Sequence, residues 1–500
     1  MKLTTQQAAF VAEVVTGSRN VCLQARAGTG KTSTILSAVD AVVAARPSAE
    51  IAVVVFGKKI QREIETKLRA RGHTDWRRVS ASTSHSLGWS LCKFFLRLDE
   101  TAIDDSKVMK LIRARNDAVY GEYGAQIAHL VALAKQDGFG FFPDAQIGDV
   151  GAWYRLADHY GVNGFGDTSD MDRVVEAAIS IYRESLQITT TVDYSDMVLF
   201  PLVRNLRTKF GKHLIFVDEA QDTSRARRAL VKKFLKPNGK LVVVGDDRQA
   251  IMGFAGASAD ALAEYIDDVD AVVLPLNVTW RCPKAVVAEA QRYVPDLQAA
   301  DGAIEGEVLH LDALPAMQPT DAVLCRNTAP LIAQAYALLR AGVACKVEGR
   351  DIGSGLVKLL TRWTSLTTIT AFVDRLEEYR AREVQKAQAK DRPAKVEEVN
   401  DRCDTLVQLC DAVHQRGGST IAEVVAFAES IFADDVASQG MVTLCTYHRS
   451  KGLEWQRVFL IEHTKRCPSP YARQAWQLRQ EQNLAYVAIT RAQATLAYVG

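Results

Sequence analysis

The chain's clearest chemistry lies at Ala25-Arg-Ala-Gly-Thr-Gly-Lys-Thr32, a run of small residues closed by a lysine and a threonine. An apolar segment, Val21–Leu23, precedes it, and a helix-prone segment, Ser33–Ala45, follows. That is the strand–loop–helix setting in which backbone N–H groups curl around phosphate oxygens. Ala27, Gly28, Thr29 and Gly30 would form the cradle. Lys31 would reach the β- and γ-phosphates, and the Thr32 hydroxyl would ligate Mg²⁺. Ala25 stands where the general pattern has glycine, so this motif alone reads as a nucleoside triphosphate site and no more. A second run, Leu214-Ile-Phe-Val-Asp-Glu-Ala-Gln-Asp222, is an apolar strand ending in adjacent acids. In a phosphate-loop hydrolase the first, Asp218, would hold the metal, and Glu219 would polarise the attacking water.

These loops need strands behind them, and the chain supplies short β-branched runs. They are Val21–Gln24, Ile51–Phe56, Leu214–Val217, Leu241–Val244, Ala271–Leu274, Val323–Leu324, Met441–Cys445 and Val458–Ile461. Longer segments of helical periodicity separate them, the alternation of parallel α/β sheets. Two stretches, about 91–190 and about 355–438, read as helical and look like insertions into a repeated α/β core. The second contains a charged block, Arg375–Arg402, expected to be a solvated helix face.

Composition bounds the partners. Five hundred residues imply several domains, and 48% hydrophobic with 24% charged residues is ordinary for a folded chain. Lys plus Arg (61) nearly cancel Asp plus Glu (59), so a nucleic-acid contact would be a local groove. Nine scattered cysteines without a Cys-x-x-Cys pair suit a reducing compartment. There is neither a signal-peptide pattern nor an apolar run approaching the roughly 18 residues of a membrane span. A cytoplasmic protein without membrane attachment is expected.

Further motifs occur in order: Leu3-Thr-Thr-Gln-Gln7, Phe56-Gly-Lys-Lys59, Thr83-Ser-His-Ser-Leu87 and Asp193-Tyr-Ser-Asp-Met197. Gly245-Asp-Asp-Arg-Gln-Ala-Ile-Met-Gly-Phe-Ala-Gly256 and Leu276-Asn-Val-Thr-Trp-Arg281 come next. Thr443-Leu-Cys-Thr-Tyr-His-Arg-Ser-Lys-Gly-Leu-Glu-Trp455 and Glu481-Gln-Asn-Leu-Ala-Tyr-Val-Ala-Ile-Thr-Arg491 complete the set. With Asp-Glu-Ala-Gln-Asp, this series resembles the UvrD/PcrA/Rep branch of superfamily 1 helicases over nearly the whole chain. Phe-x-Lys-Lys, Thr-x-His-Ser-Leu and Gly349-Arg-Asp-Ile-Gly353 resemble the compact group around the F-box DNA helicase and its phage and plasmid relatives. Gly57, Ala255 and Thr279 depart from the usual residues at their positions.

The resemblance implies two RecA-like parallel-sheet cores, 1A (1–90 and 191–275) and 2A (276–354 and 439–500), with helical insertions 1B (91–190) and 2B (355–438). It implies an ATP- and Mg²⁺-dependent motor moving 3′ to 5′ along single-stranded DNA, with hydrolysis between the cores. Gln7 would read the adenine edge and Gln249 would sense the γ-phosphate. Trp280 would stack on adenine, Glu454 would join the nucleotide site, and Arg281 and Arg491 would be arginine fingers. Phe56, Lys58, Thr83, His85, Phe254, Tyr447, His448 and Trp455 would contact the strand, the aromatics by base stacking.

Implied partners are single-stranded DNA, single-/double-strand junctions, and a protein partner, either a nuclease or a replication or repair factor. Only nine residues follow Arg491, so a fused nuclease is not expected. The short insertions suggest weak unwinding by the chain alone. Two other readings stay open: an RNA-dependent superfamily 1 motor, and a catalytically weak nucleic-acid-binding scaffold.

Overall fold

A computed structural model describes residues 3–162, 168–253, 256, 260–389, 393–432 and 440–500. The chain divides into two compact units, the first made of Met1–Arg26 and Gly30–Leu276, the second of Ala27–Thr29 and Asn277–Gly500.

The first unit contains six strands: β1 (Val21–Ala25), β2 (Ile51–Val55), β3 (Val79–Thr83), β4 (Lys212–Val217), β5 (Leu235–Gly245) and β6 (Val272–Leu276). They form one parallel sheet in the order β3-β2-β4-β5-β1-β6. The Ile51–Val55 run is buried throughout because helices cover both faces of the sheet. Period-two alternation divides the core. Leu23, Val53, Phe216 and Val242 face Phe10 and Ile35 on one side. Cys22, Val54, Ile215 and Val243 face Leu230 and Tyr265 on the other.

Between β3 and β4 the chain is helical, and these helices build a core of their own around Trp153, Tyr182 and Phe139. A buried ion network crosses that core. Lys135 Nζ lies 2.6 Å from Asp193 Oδ2 and 2.7 Å from Asp196 Oδ1, while Lys107 Nζ lies 2.7 Å from Asp196 Oδ2.

The second unit contains the short pair β7 (Val278–Thr279) and β8 (Gln298–Ala299), then β9 (Glu307–Leu311), β10 (Ala322–Cys325), β11 (Cys345–Val347), β12 (Val442–Thr446), β13 (Trp455–Ile461) and β14 (Ala492–Val499). The last six form a second parallel sheet, β11-β12-β10-β13-β14-β9. Helices lie between β11 and β12 here too, but they share one continuous core with the sheet. Phe372, Leu406 and Val424 pack in the same cluster as Val323, Leu444 and Phe459.

The charged block Arg375–Arg402 is therefore not solely a solvated face. Asp401 accepts the backbone N–H groups of Thr328 (3.0 Å) and Ala329 (3.1 Å), capping the helix Ala329–Arg340 from outside. Arg402 donates to the Gly355 carbonyl. No described helix is long and apolar enough to cross a membrane.

Candidate nucleotide and strand-binding site

β1 runs into the loop that holds Ala27–Gly30, and the helix Lys31–Ala45 leaves it. Gly28 (φ 71°) and Gly30 (φ 83°) adopt the left-handed conformation that a side chain resists. Gly30 caps the helix without a side-chain hydrogen bond, so the first-turn N–H groups remain for an anion. Gln7 is buried beside this loop. A Cβ placed on Gly30 would lie 3.4 Å from Gln7 Nε2. The Gln7 carbonyl oxygen, meanwhile, accepts the Thr4 N–H in a capping box.

Three adjacent strand ends assemble the remaining chemistry, since β5 lies between β4 and β1. Lys31 Nζ donates to Glu219 Oε1 at 2.7 Å. Burial alone would lower the Lys31 pKa, but Glu219, Asp218 and Asp246 outweigh it and the pKa rises. Glu219 follows β4 with φ 51°, a strained backbone of the kind that gathers at functional positions. Gln221 donates to Glu219 Oε2 at 2.5 Å and accepts the Asp246 N–H at 3.0 Å. Gln249 donates to Asp246 Oδ2 at 2.7 Å, and Arg26 reaches Asp246 (3.0 Å) and Asp247 (2.6 Å).

One hydrogen-bonded chain thus joins the expected Lys31, Glu219 and Gln249 through Gln221 and Asp246. Those two connectors, and Arg26, were missed at the level of sequence, although all three lie inside the quoted motifs.

Among the described residues no three His, Cys, Asp or Glu side chains form a metal-holding group. Mg²⁺ needs only one or two protein oxygens when phosphates and water complete its shell. Buried Asp218, at the end of β4, and Thr32, in the first helical turn, are oxygen donors of the right hard type. The residues fit such an ion.

The second unit gathers its own cations. Arg281 Nε donates to Glu454 Oε2 at 2.5 Å, and Arg281 Nη1 donates to the Thr490 carbonyl at 3.3 Å. Arg491 is buried, and its hydrogen bonds among the described residues go to the carbonyls of Val487 (2.7 Å) and Leu453 (3.1 Å) and to the Thr490 hydroxyl (3.2 Å). Desolvation, with neighbouring Arg281, pushes its pKa down to about 10. Gln493 donates to Glu454 Oε1 at 2.9 Å, a further contact the sequence reading missed. Trp280 stands 60% exposed, available for stacking.

The strand-contact expectations divide. Phe56 is exposed with Arg227 Cζ 5.0 Å from its ring centre, and Lys58 is exposed at the start of its helix. His85 meets Tyr194 edge-on at 5.7 Å, and Tyr194 is itself 49% exposed, a neighbour the motifs did not single out. Burial, with nearby Arg227, pushes the His85 pKa down to about 4, so its ring is neutral and suits a base more than a phosphate.

The Thr83 hydroxyl is committed to the capping box of the helix Ser84–Leu96. Tyr447 corrects the expectation: it is wholly buried, its hydroxyl 2.9 Å from His463 Nδ1, and belongs to the core. His448 is partly buried, and burial with Arg326 and Arg449 pushes its pKa down to about 3. Trp455 is half-buried at the head of β13 and donates its N–H to the Arg491 carbonyl at 3.0 Å. Phe254 lies outside the described residues.

The UvrD/REP helicase N-terminal domain family matches residues 3–270, and the UvrD-like helicase C-terminal domain family matches residues 322–499. The ATP-dependent DNA helicase UvrD2 of Mycobacterium tuberculosis (strain ATCC 25618 / H37Rv) is 26% identical over 95% of this chain and 76% of its own length. The ATP-dependent DNA helicase Rep of Escherichia coli (strain K12) is 24% identical over 56% of this chain and 41% of its own. DNA helicase IV of the same organism is 24% identical over 56% and 46%. The chain therefore spans less than half the length of Rep and helicase IV.

Proposed function

The chain belongs to the UvrD/REP helicase family, and from that membership we propose that it is an ATP-driven motor moving 3′ to 5′ along single-stranded DNA. The observation that carries this reading is the Lys31–Glu219 ion pair at neighbouring strand ends, tied through Gln221 and Asp246 to Gln249. A phosphate cation, a water-orienting carboxylate and a γ-phosphate-sensing amide are thereby held in one network. Loss of the γ-phosphate reaches each of them. Thr32 and Asp218 would hold Mg²⁺, which would supply positive charge to the phosphates.

Arg281 and Arg491 act as the arginine pair for the transferring phosphoryl group. Arg491, bonded to carbonyls and a hydroxyl, keeps an unneutralised charge for an anion. Phe56, His85 and Tyr194 act as a stacking face for bases, which tolerates any sequence, as a translocase requires. The helices within 91–190 and 355–438 act as the inserted subdomains 1B and 2B. Junctions and a protein partner complete the proposed setting.

The test is steady-state ATP hydrolysis with and without oligothymidine, repeated with poly(dT) and poly(U). Strong stimulation by the DNA strand is expected. No stimulation by either polymer sinks the motor reading, and preference for poly(U) replaces DNA with RNA.

A further inference from the structure

The N-terminal ends of β3, β2, β4 and β5 lie side by side on the edge of the first sheet opposite Lys31 and Glu219. With five residues in β2, the two edges are about 17 Å apart. Two large rings stand in solvent on this far edge, Trp76 at 69% and Phe210 at 82% exposure, the highest among the described large hydrophobic side chains. Neither contributes to a core cluster, so packing does not explain them.

Cations bracket both rings. The Arg77 guanidinium lies 5.3 Å from the Trp76 ring centre. Lys212 Nζ donates to the Arg77 carbonyl at 2.6 Å, tying the Trp76 loop to the start of β4. Exposed Lys209 adjoins Phe210, and the loop continues against Lys236, whose Cγ would lie 2.8 Å from a Cβ on Gly211. Two acids offset part of this charge: Glu50 pairs with Lys236 at 2.5 Å, and Asp75, which accepts the Arg77 N–H at 3.0 Å, also acts on Lys212. In a chain of net charge +2, this positive excess is local.

We propose that this edge is a second binding surface for single-stranded nucleic acid, distinct from the motor's strand contacts. Phosphates of the strand meet Arg77, Lys209 and Lys212, and two bases stack on Trp76 and Phe210. Exposed rings flanked by cations favour an unpaired strand, since duplex bases are already stacked on one another.

The experiment uses the full chain without nucleotide, so hydrolysis does not enter. Oligothymidine carrying 5-iodouracil is photocrosslinked, and the attachment points are mapped by peptide mass spectrometry. Crosslinks at Trp76 or Phe210 are expected. In titrations, Trp76→Ala/Phe210→Ala should bind an oligomer of about 10 nucleotides normally and one of about 40 nucleotides roughly tenfold more weakly. Arg77→Glu/Lys209→Glu should lower the salt dependence on the longer strand only. Unchanged affinity for the longer strand overturns the proposal, as does an equal loss on both lengths. Absence of crosslinks combined with binding of polyglutamate at this edge also overturns it, in favour of an acidic protein partner.

Discussion

Glu219 Oε1 and Lys31 Nζ stand 2.7 Å apart, joining the residue after β4 to the first residue of the phosphate-loop helix. The pair is held from both sides. Glu219 adopts a left-handed backbone that costs a non-glycine residue about 1–3 kcal/mol, and Gln221 grips its second oxygen. A carboxylate placed so firmly on the lysine must let go of it, in part, for a phosphate to bind there.

Glu219→Gln therefore separates binding from chemistry. The variant should hydrolyse ATP about 10²- to 10⁴-fold more slowly, the range for losing a general base. Its nucleotide affinity should rise, because Lys31 no longer has a carboxylate to give up. Single-turnover hydrolysis and a fluorescent-nucleotide titration read the two effects. Hydrolysis within about tenfold of the parent would remove Glu219 from the catalytic role.

Arg491→Lys should fail to rescue. The guanidinium forks to two carbonyls and a hydroxyl, a geometry an ammonium cannot copy. A kcat loss of about 10³-fold is expected for Arg491→Lys and Arg491→Ala alike. KM for ATP should change far less. A lysine variant near parental kcat would show that charge alone is needed there.

The imidazoles of His85 and His448 give a signed pH prediction. Burial depresses His85 to about 4 and His448 to about 3, below the 6.5 of an unfolded histidine. Between those values the unfolded chain binds the extra protons. The stability they confer is therefore present above pH 6.5 and erodes as pH falls toward the folded values. His85→Gln should flatten the acid side of the unfolding profile, read by thermal melts across that window. An unaltered slope would mean the ring is already accessible to protons in the folded chain.

These side chains also show what the sequence could tell. Strands buried on both faces, such as Ile51–Val55, are continuous β-branched runs and stand out. Val79–Thr83 does not, because its buried positions alternate with half-buried serines. Glu307–Leu311 is an edge strand with mostly exposed residues, so no apolar run marks it. In the candidate site, Lys31, Glu219 and Arg491 carry motif chemistry and were readable. Gln221 and Asp246 matter only as links between loops, which spacing along a chain does not encode. Tyr447 sits in a motif yet is wholly buried, since it follows β12, a strand paired on both sides by β11 and β10.

The network under Tyr194 supports the last prediction. Two lysines and two aspartates, all but excluded from water, balance to zero charge around Lys135. Removing one partner leaves an uncompensated charge, which costs about 3–5 kcal/mol, whereas removing a complementary pair costs much less. Lys135→Met should therefore lower the unfolding midpoint sharply, and adding Asp193→Asn should recover part of the loss. Asp193 also caps the helix Tyr194–Val203, its side chain accepting the Asp196 N–H at 2.7 Å. The double variant should thus regain stability but not full strand-stimulated hydrolysis, because the cap that aims Tyr194 at His85 is weakened. Melting curves and ATPase assays on the same preparations distinguish the two. Recovery of both together would mean the network stabilises the fold without positioning Tyr194.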